Sequence, residues 1–137
     1  MLTQEKNLLF IGQVAALSGL PVKTIRYYAD IGLLSSLDRT EGGYRQFSSE
    51  VLTRLAFIKR SQSLGLSLQE IKEILKVYDQ GELPCGDIKQ KLIKKLLQID
   101  HQIGQLTTLR AELSGLLLGW ENPATQEGTI CPILQKN

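Results

Sequence analysis

Apolar residues recur every three or four positions through most of this chain, a spacing that is typical of amphipathic helices. In the first half the pattern predicts four helices, over residues 9–18, 22–31, 49–63 and 68–78. Ser48 is the expected N-cap of the third helix, and Ser67 with Glu70 three residues later predicts a capping box for the fourth. Tyr78 falls on the apolar side of that fourth helix.

The first two predicted helices are joined by a short turn that contains Gly19 and Pro21. Helix, short turn and helix form the helix-turn-helix pattern. Residues 34–47 follow, with Gly42 and Gly43 between two brief extended segments, which predicts a β-hairpin, or wing. A plain helical hairpin has the same spacing as a helix-turn-helix, so this pattern alone leaves both readings open.

One long helix, predicted over residues 85–118, dominates the second half. It contains no proline, and its apolar residues follow a heptad: Leu92, Ile99, Leu106 and Leu113 in one position, with Leu96, Ile103 and Leu117 in the alternate one. A single helix cannot bury such a seam by itself. At a length of roughly 50 Å it would also overhang the shorter helices before it, so the sequence predicts a coiled-coil homodimer.

The 137 residues carry a net charge of only +2, but the charge is unevenly distributed. Residues 1–63 hold eight Lys and Arg against five Asp and Glu, giving +3, whereas residues 64–137 hold eight against nine, giving −1. No apolar run approaches the roughly 18 residues of a membrane span, so we expect a cytoplasmic protein with no membrane partner. A single histidine and the lack of a Gly-rich phosphate loop or metalloprotease motif argue against an enzyme.

Cationic and phenolic side chains lie at both ends of the compact segment formed by the second helix and the wing. Lys23, Arg26 and Tyr27 share the predicted helix, and Tyr44 and Arg45 follow the glycine turn. Such groups suit a phosphate backbone, because Lys and Arg supply charge and Tyr supplies hydrogen bonds. The sequence therefore predicts a DNA-binding transcriptional regulator. The alternative is a coiled-coil interaction protein whose helix-turn-helix only packs.

Several segments together resemble the MerR family of bacterial transcriptional regulators. The resemblance is carried by residues 11–15, 23–28, 31–34, 39, 43–45, 47, 54–58 and 64–71, and it extends over residues 9 to about 134. It implies a mainly α fold with three parts: a winged helix-turn-helix DNA-binding domain at 8–80, a long antiparallel coiled-coil dimerisation helix at 85–118, and a short C-terminal effector loop, binding metal, at 119–137.

The resemblance also implies how such a protein acts. A homodimer binds a palindromic operator between two promoter elements that are spaced too far apart. Effector binding makes the dimer untwist and bend this DNA, so that bound RNA polymerase can use both elements. By carry-over, Lys23, Thr24 and Arg26 reach the major groove. The residues expected to contact phosphates are Tyr27, Tyr44, Arg45, Arg54 and Arg60.

Cys85 and Cys131 are the two cysteines of the chain, too few for a disulfide scaffold. In the metal-sensing members that this chain resembles, cysteines stand at the same two places, the start of the dimerisation helix and the C-terminal loop. The return from residue 118 to Cys131 spans at most about 43 Å, less than the roughly 50 Å helix, which argues against a site within one chain. In an antiparallel dimer, Cys85 would lie beside Cys131 of the partner subunit.

Two thiolates select a soft, thiophilic metal ion as effector, and Hg(II) fits best because it accepts two sulfur ligands. The mercury sensors of the family have a third, middle cysteine, which is absent here. Copper(I) sensors lack a cysteine at the helix start, so Cys85 argues against copper. Zinc and lead sensors recruit further ligands, for which Asp87 and Glu127 are candidates. A thiol–disulfide switch, or two inert cysteines, are the open alternatives.

Overall fold

The computed structural model describes residues 8–36 and 43–136. Its elements follow one another in this order: β1 (Leu8–Phe10), α1 (Ile11–Ser18), α2 (Val22–Asp30), β2 (Gln46–Ser48), α3 (Val51–Ser63), α4 (Leu68–Asp79), α5 (Cys85–Leu117) and α6 (Pro132–Gln135). The prediction of a mainly α fold with a helix-turn-helix and a long C-terminal helix is confirmed.

A short antiparallel sheet joins the start of the chain to the wing segment. Strands β1 and β2 pair with Leu9 opposite Phe47. The prediction that the first helix begins at residue 9 was wrong, because the apolar Leu8–Phe10 run pairs with β2 instead of continuing α1. Of the predicted glycine turn, Gly42 lies outside the described residues, and Gly43 has a φ of +83°, a conformation that favours glycine.

The hydrophobic core lies among α1, α2, α3 and α4. Its completely buried side chains come from all four helices and from the segments between them: Val14, Ile25, Leu33, Phe47, Ile58, Ile71 and Ile74. Tyr28 is also buried, and its hydroxyl donates to Gln62 Oε1 at 3.0 Å. Tyr78 differs from the prediction, since it is 56% exposed in the last turn of α4.

The predicted capping box of α4 is present. The backbone N–H of Glu70 donates to Ser67 Oγ at 3.1 Å, and the N–H of Ser67 donates to Glu70 Oε1 at 3.0 Å. That second hydrogen bond is the main reason why the pKa of Glu70 lies below its ordinary value. The expected cap of α3 was wrong, because α3 begins at Val51 and Ser48 Oγ instead accepts from the N–H of Glu50 at 3.3 Å.

The long helix α5 has 33 residues and ends one residue before the predicted position. Its first turns pack on the core through Ile88. Two lysines add ion pairs to α4, with Lys91 Nζ 2.6 Å from Glu73 Oε2 and Lys95 Nζ 3.7 Å from Glu70 Oε1. The first compact unit of the chain, Met1–Lys95, includes the beginning of α5.

The second compact unit, Leu96–Asn137, holds the rest of α5 and the tail. None of its described residues is buried. The heptad side chains of this part of α5 are between 42% exposed, at Ile99, and 68% exposed, at Leu117. Within the described residues, no helix is long and apolar enough to cross a membrane. The short helix α6 was not predicted, although Pro132 at its first position is a known start signal.

Candidate functional site

The outer face of α2 carries the cationic and phenolic groups singled out in the sequence. Lys23, Arg26 and Tyr27 are exposed, and Thr24 is half-buried. The opposite face places Ile25 and Tyr28 in the core, which fixes the rotation of the helix about its axis. Among the described residues, no ion pair engages Lys23 or Arg26, so both cations face outward from a rigid helix.

An ion pair brings the wing segment to the end of α2. Arg45 Nη2 lies 3.0 Å from Asp30 Oδ1, and the Arg45 side chain is 27% exposed. The adjacent Tyr44 is 69% exposed. The structure therefore places Arg45 at the end of the helix that carries Lys23 and Arg26.

Arg54 is engaged inside the fold. Its Nη1 and Nη2 donate to the two carboxylate oxygens of Asp79 at 2.7 and 2.9 Å, and its Nε donates to the carbonyl oxygen of Leu33. The side chain thus joins α3, the end of α4 and the segment after α2. Its predicted phosphate contact stays a prediction. No pattern in the sequence indicated this bracing role, because the partners of Arg54 lie more than 20 residues away.

Arg60, the remaining predicted phosphate ligand, lies exposed in the last turn of α3. Its Nη1 is 3.4 Å from Ser63 Oγ. This polar contact is local to the helix end and does not connect Arg60 with α2 or with the wing segment.

The two cysteines are free and differ in exposure. Cys85, the first residue of α5, is exposed, and Cys131, which immediately precedes α6, is half-buried. In the described part of the chain, no three His, Cys, Asp or Glu side chains converge where they could hold a metal ion. The described residues of a single chain therefore offer no preformed site with three or more such ligands.

Asp87, a candidate additional ligand near Cys85, faces a lysine. Its Oδ2 lies 3.6 Å from Lys91 Nζ and, among the described residues, has no hydrogen-bond partner. Lys91 also donates to Glu73, and this hydrogen bond is the main reason why the pKa of Lys91 is raised. A permanently charged lysine therefore competes with any cation for the Asp87 carboxylate.

Two family models match the chain. Residues 10–77 match the model described as "MerR HTH family regulatory protein", and residues 52–116 match the one described as "MerR, DNA binding". Together they extend from α1 almost to the end of α5.

Individual relatives are similar over nearly the whole chain. The transcriptional regulator HmrR of Rhizobium leguminosarum bv. viciae is 36% identical over 126 residues, 92% of this chain and 95% of that protein. The mercuric resistance operon regulatory protein of Bacillus cereus is 38% identical over 91% of this chain and 93% of that protein. The crystal structure of the transcription regulator PbrR691 from Ralstonia metallidurans CH34, in complex with lead(II), has a TM-score of 0.77 at 30% identity, covering 92% of this chain and 96% of that one. These relatives confirm the prediction of a regulator and not an enzyme.

Replacement of Asp79 by Asn tests the bracing role of Arg54. The Arg54 guanidinium holds the pKa of Asp79 below its ordinary value, so the pair stabilises the fold above the unfolded-state pKa of about 3.9. That contribution disappears as the pH falls through the lower folded-state pKa. We expect Asp79→Asn to cost about 1 kcal/mol at pH 7, because the half-exposed carboxylate is partly screened, and to cost little near pH 2.

Urea unfolding of the full chain at both pH values measures this difference. Glu82→Gln is the control, since Glu82 is an exposed carboxylate for which the described residues show no ion pair. A loss for Asp79→Asn that is equal at both pH values would contradict the ionic role.

Proposed function

The chain belongs to the MerR family of helix-turn-helix regulators, and we propose that it is a metal-responsive activator that binds promoter DNA as a homodimer. The observation that carries the proposal is the extent of the likeness to metal-linked relatives. The Bacillus cereus regulator, named for mercuric resistance, matches over 125 residues. From the first residue of the chain to the end of α5 there are only 117 residues. The similarity therefore reaches into the tail, where Cys131 lies.

We propose the three-part division of residues 8–80 for DNA binding, 85–118 for dimerisation and 119–137 for the effector. In the first part, the exposed cations of α2 enter the major groove, where Arg and Lys hydrogen-bond base edges. The groups assigned to the major groove are Lys23, Thr24 and Arg26, and those assigned to phosphates are Tyr27, Tyr44, Arg45, Arg54 and Arg60. The ion pair between Arg45 and Asp30 supports this assignment, because it holds the wing segment against α2.

The partner that we propose for α5 is a second copy of the chain. The apolar heptad positions of this helix are widely exposed, and folded monomers rarely expose long contiguous apolar surfaces. An antiparallel pairing of two α5 helices covers the seam. It also brings each Cys85 towards Cys131 of the partner subunit. This arrangement agrees with the length of the tail, which is too short to bring Cys131 to Cys85 of the same chain.

The effector that fits best is a thiophilic ion held by these two thiolates, and Hg(II) is the first candidate. An ion that accepts two sulfur ligands needs nothing more from the protein. A zinc site needs at least a third converging ligand, and the described residues of one chain contain no such group. The charge of Asp87, a candidate ligand near Cys85, is already neutralised by Lys91. Cys85 of one subunit and Cys131 of the other would hold this ion, which would supply a link between the two subunits. Copper, lead, zinc and thiol oxidation are the alternatives that the test below separates.

The route from effector to DNA runs through the start of α5. Cys85 lies only six residues before Lys91, and both belong to the same helix. Lys91 and Lys95 tie that helix to Glu73 and Glu70 of α4. A displacement of Cys85 therefore moves the start of α5 and the DNA-binding helices together, so that they rotate as one unit. Two such units rotating in opposite directions change the twist of the DNA between them, which lets RNA polymerase use both promoter elements.

Replacement of Lys23 by Ala tests the DNA-binding face. Lys94→Ala is the matched control, because Lys94 is equally a solvent-exposed lysine but lies on α5. We expect Lys23→Ala to weaken operator binding by about 1–3 kcal/mol, the usual worth of a base contact, and Lys94→Ala to leave it within about 0.5 kcal/mol. Fluorescence anisotropy at fixed salt measures both. Equal affinities for the two variants would remove Lys23 from the interface.

Titration with metal ions tests the effector. With Hg(II), we expect an ultraviolet thiolate-to-metal charge-transfer band that saturates at about one ion per chain. Cys85→Ser and Cys131→Ser should each abolish the band and the metal response of a promoter reporter, while operator binding by the metal-free protein is retained. If the reporter responds to copper, lead, zinc or an oxidant and not to Hg(II), that inducer would replace Hg(II) as the proposed effector. A full response in both variants would contradict a thiolate site.

A further inference from the structure

The side chain of Gln135 binds two successive backbone amides, those of Ile130 and Cys131. Its Oε1 accepts from the N–H of Ile130 at 2.9 Å and from the N–H of Cys131 at 2.8 Å. The backbone N–H of Gln135 donates in turn to the carbonyl oxygen of Cys131 at 3.1 Å. The amide and the carbonyl of Cys131 are therefore both bound by one residue, four positions further along the chain.

The local sequence explains why this ring closes. Residues before proline are pushed towards extended conformations, and Cys131 has φ −145° and ψ 112° ahead of Pro132. Pro132 has no N–H to satisfy and its φ is fixed, which suits the first position of α6. The amides of Ile130 and Cys131 lie just before this turn, and the Gln135 carboxamide oxygen accepts from both.

Hydrogen bonds contribute more to the conformation of the turn around Cys131 than they would in a domain with a hydrophobic core. None of the described residues of 96–136 is buried. Ile130 is 98% exposed and Leu134 is 66% exposed, so packing of these two side chains does not fix the turn. Without the Gln135 side chain, the turn around Cys131 keeps the backbone hydrogen bonds of α6, including the one from Gln135 to Cys131, and the restriction imposed by Pro132.

We propose that Gln135 is a positioning residue for the effector site: by binding the backbone amides of Ile130 and Cys131 its side chain presets the direction of the Cys131 thiol. This inference rests on the proposed function, in which Cys131 is a metal ligand. A preset thiol loses less conformational freedom when it binds an ion, which raises affinity without any contact between Gln135 and the ion.

The first measurement needs no metal and therefore separates this inference from the proposed function. In a Cys85→Ser background, the reaction of Cys131 with an aromatic disulfide reagent reports how well the half-buried thiol is held. We expect Gln135→Ala to speed this reaction roughly fivefold to tenfold, as for the loss of one or two hydrogen bonds. In a Cys131→Ser background, the reaction rate of Cys85 should not change.

Two further variants sharpen the result. Gln135→Glu keeps an acceptor oxygen at the same place and should restore a rate close to that of Gln135. Gln126→Ala is the control, because it removes another glutamine side chain of the tail. The backbone carbonyl of Gln126, which the substitution keeps, accepts from Thr129, so the rate should be unchanged. Unaltered Cys131 reactivity in Gln135→Ala, or an equal increase in Gln126→Ala, would overturn the inference.

The second measurement is Hg(II) affinity in the chain with both cysteines, by competition with a thiol chelator. We expect Gln135→Ala to weaken it roughly tenfold, Gln135→Glu to restore it, and operator binding by the metal-free protein to be the same in all variants. Faster thiol reaction with unchanged Hg(II) affinity would show that Gln135 orders the turn but does not position a ligand. Absence of Hg(II) binding in the parent chain would count against the proposed function alone.

Discussion

The apolar seam of α5 is the constraint on which the rest of the account depends. From Leu96 to Leu117 its heptad side chains are largely exposed, and the part of the chain described in this region has no buried residue. A second copy of the helix supplies apolar side chains at the same spacing, which is why a coiled coil is the simplest way to cover them. Once two chains share this helix, any site built from its start and from the tail is shared as well.

The hydrophobic core among α1, α2, α3 and α4 imposes a second constraint, because the beginning of α5 packs firmly against it. Ile88 packs against the core, and Lys91 and Lys95 pair with carboxylates of α4. The bidentate pair of Arg54 and Asp79 then braces the end of α4 against α3. The first turns of α5 therefore move with the DNA-binding helices. Cys85, at the first residue of α5, is well placed to act on them.

Features set by local sequence were predictable. The spacing of apolar residues gave α2, α4 and α5 to within a few residues, and Ser67 with Glu70 identified a capping box that the structure contains. The exposed face of α2 followed from the burial of Ile25 and Tyr28 on the other side. Cys85 was placed at a helix start because the heptad pattern begins just after it.

Features set by distant partners were not predictable in this way. Strand β1 was read as part of a helix, because only its pairing with β2 makes it a strand. The contact between Arg54 and Asp79 was not predicted, since the two residues lie 25 positions apart in the sequence. Helix α6 has only four residues, too few to produce a periodic pattern, and Gln135 gave no signal until the fold brought its side chain back to Cys131.

The central claim is that each metal ion is held by one thiol from each of two chains. The most direct measurement purifies a heterodimer of a Cys85→Ser chain and a Cys131→Ser chain, carrying different affinity tags, and counts the tightly bound Hg(II). In an antiparallel dimer with shared sites, the heterodimer keeps one complete site, so it binds about one ion, against two for the parent dimer and none for either variant alone. A heterodimer that binds no Hg(II), while the parent dimer binds it, would contradict the claim.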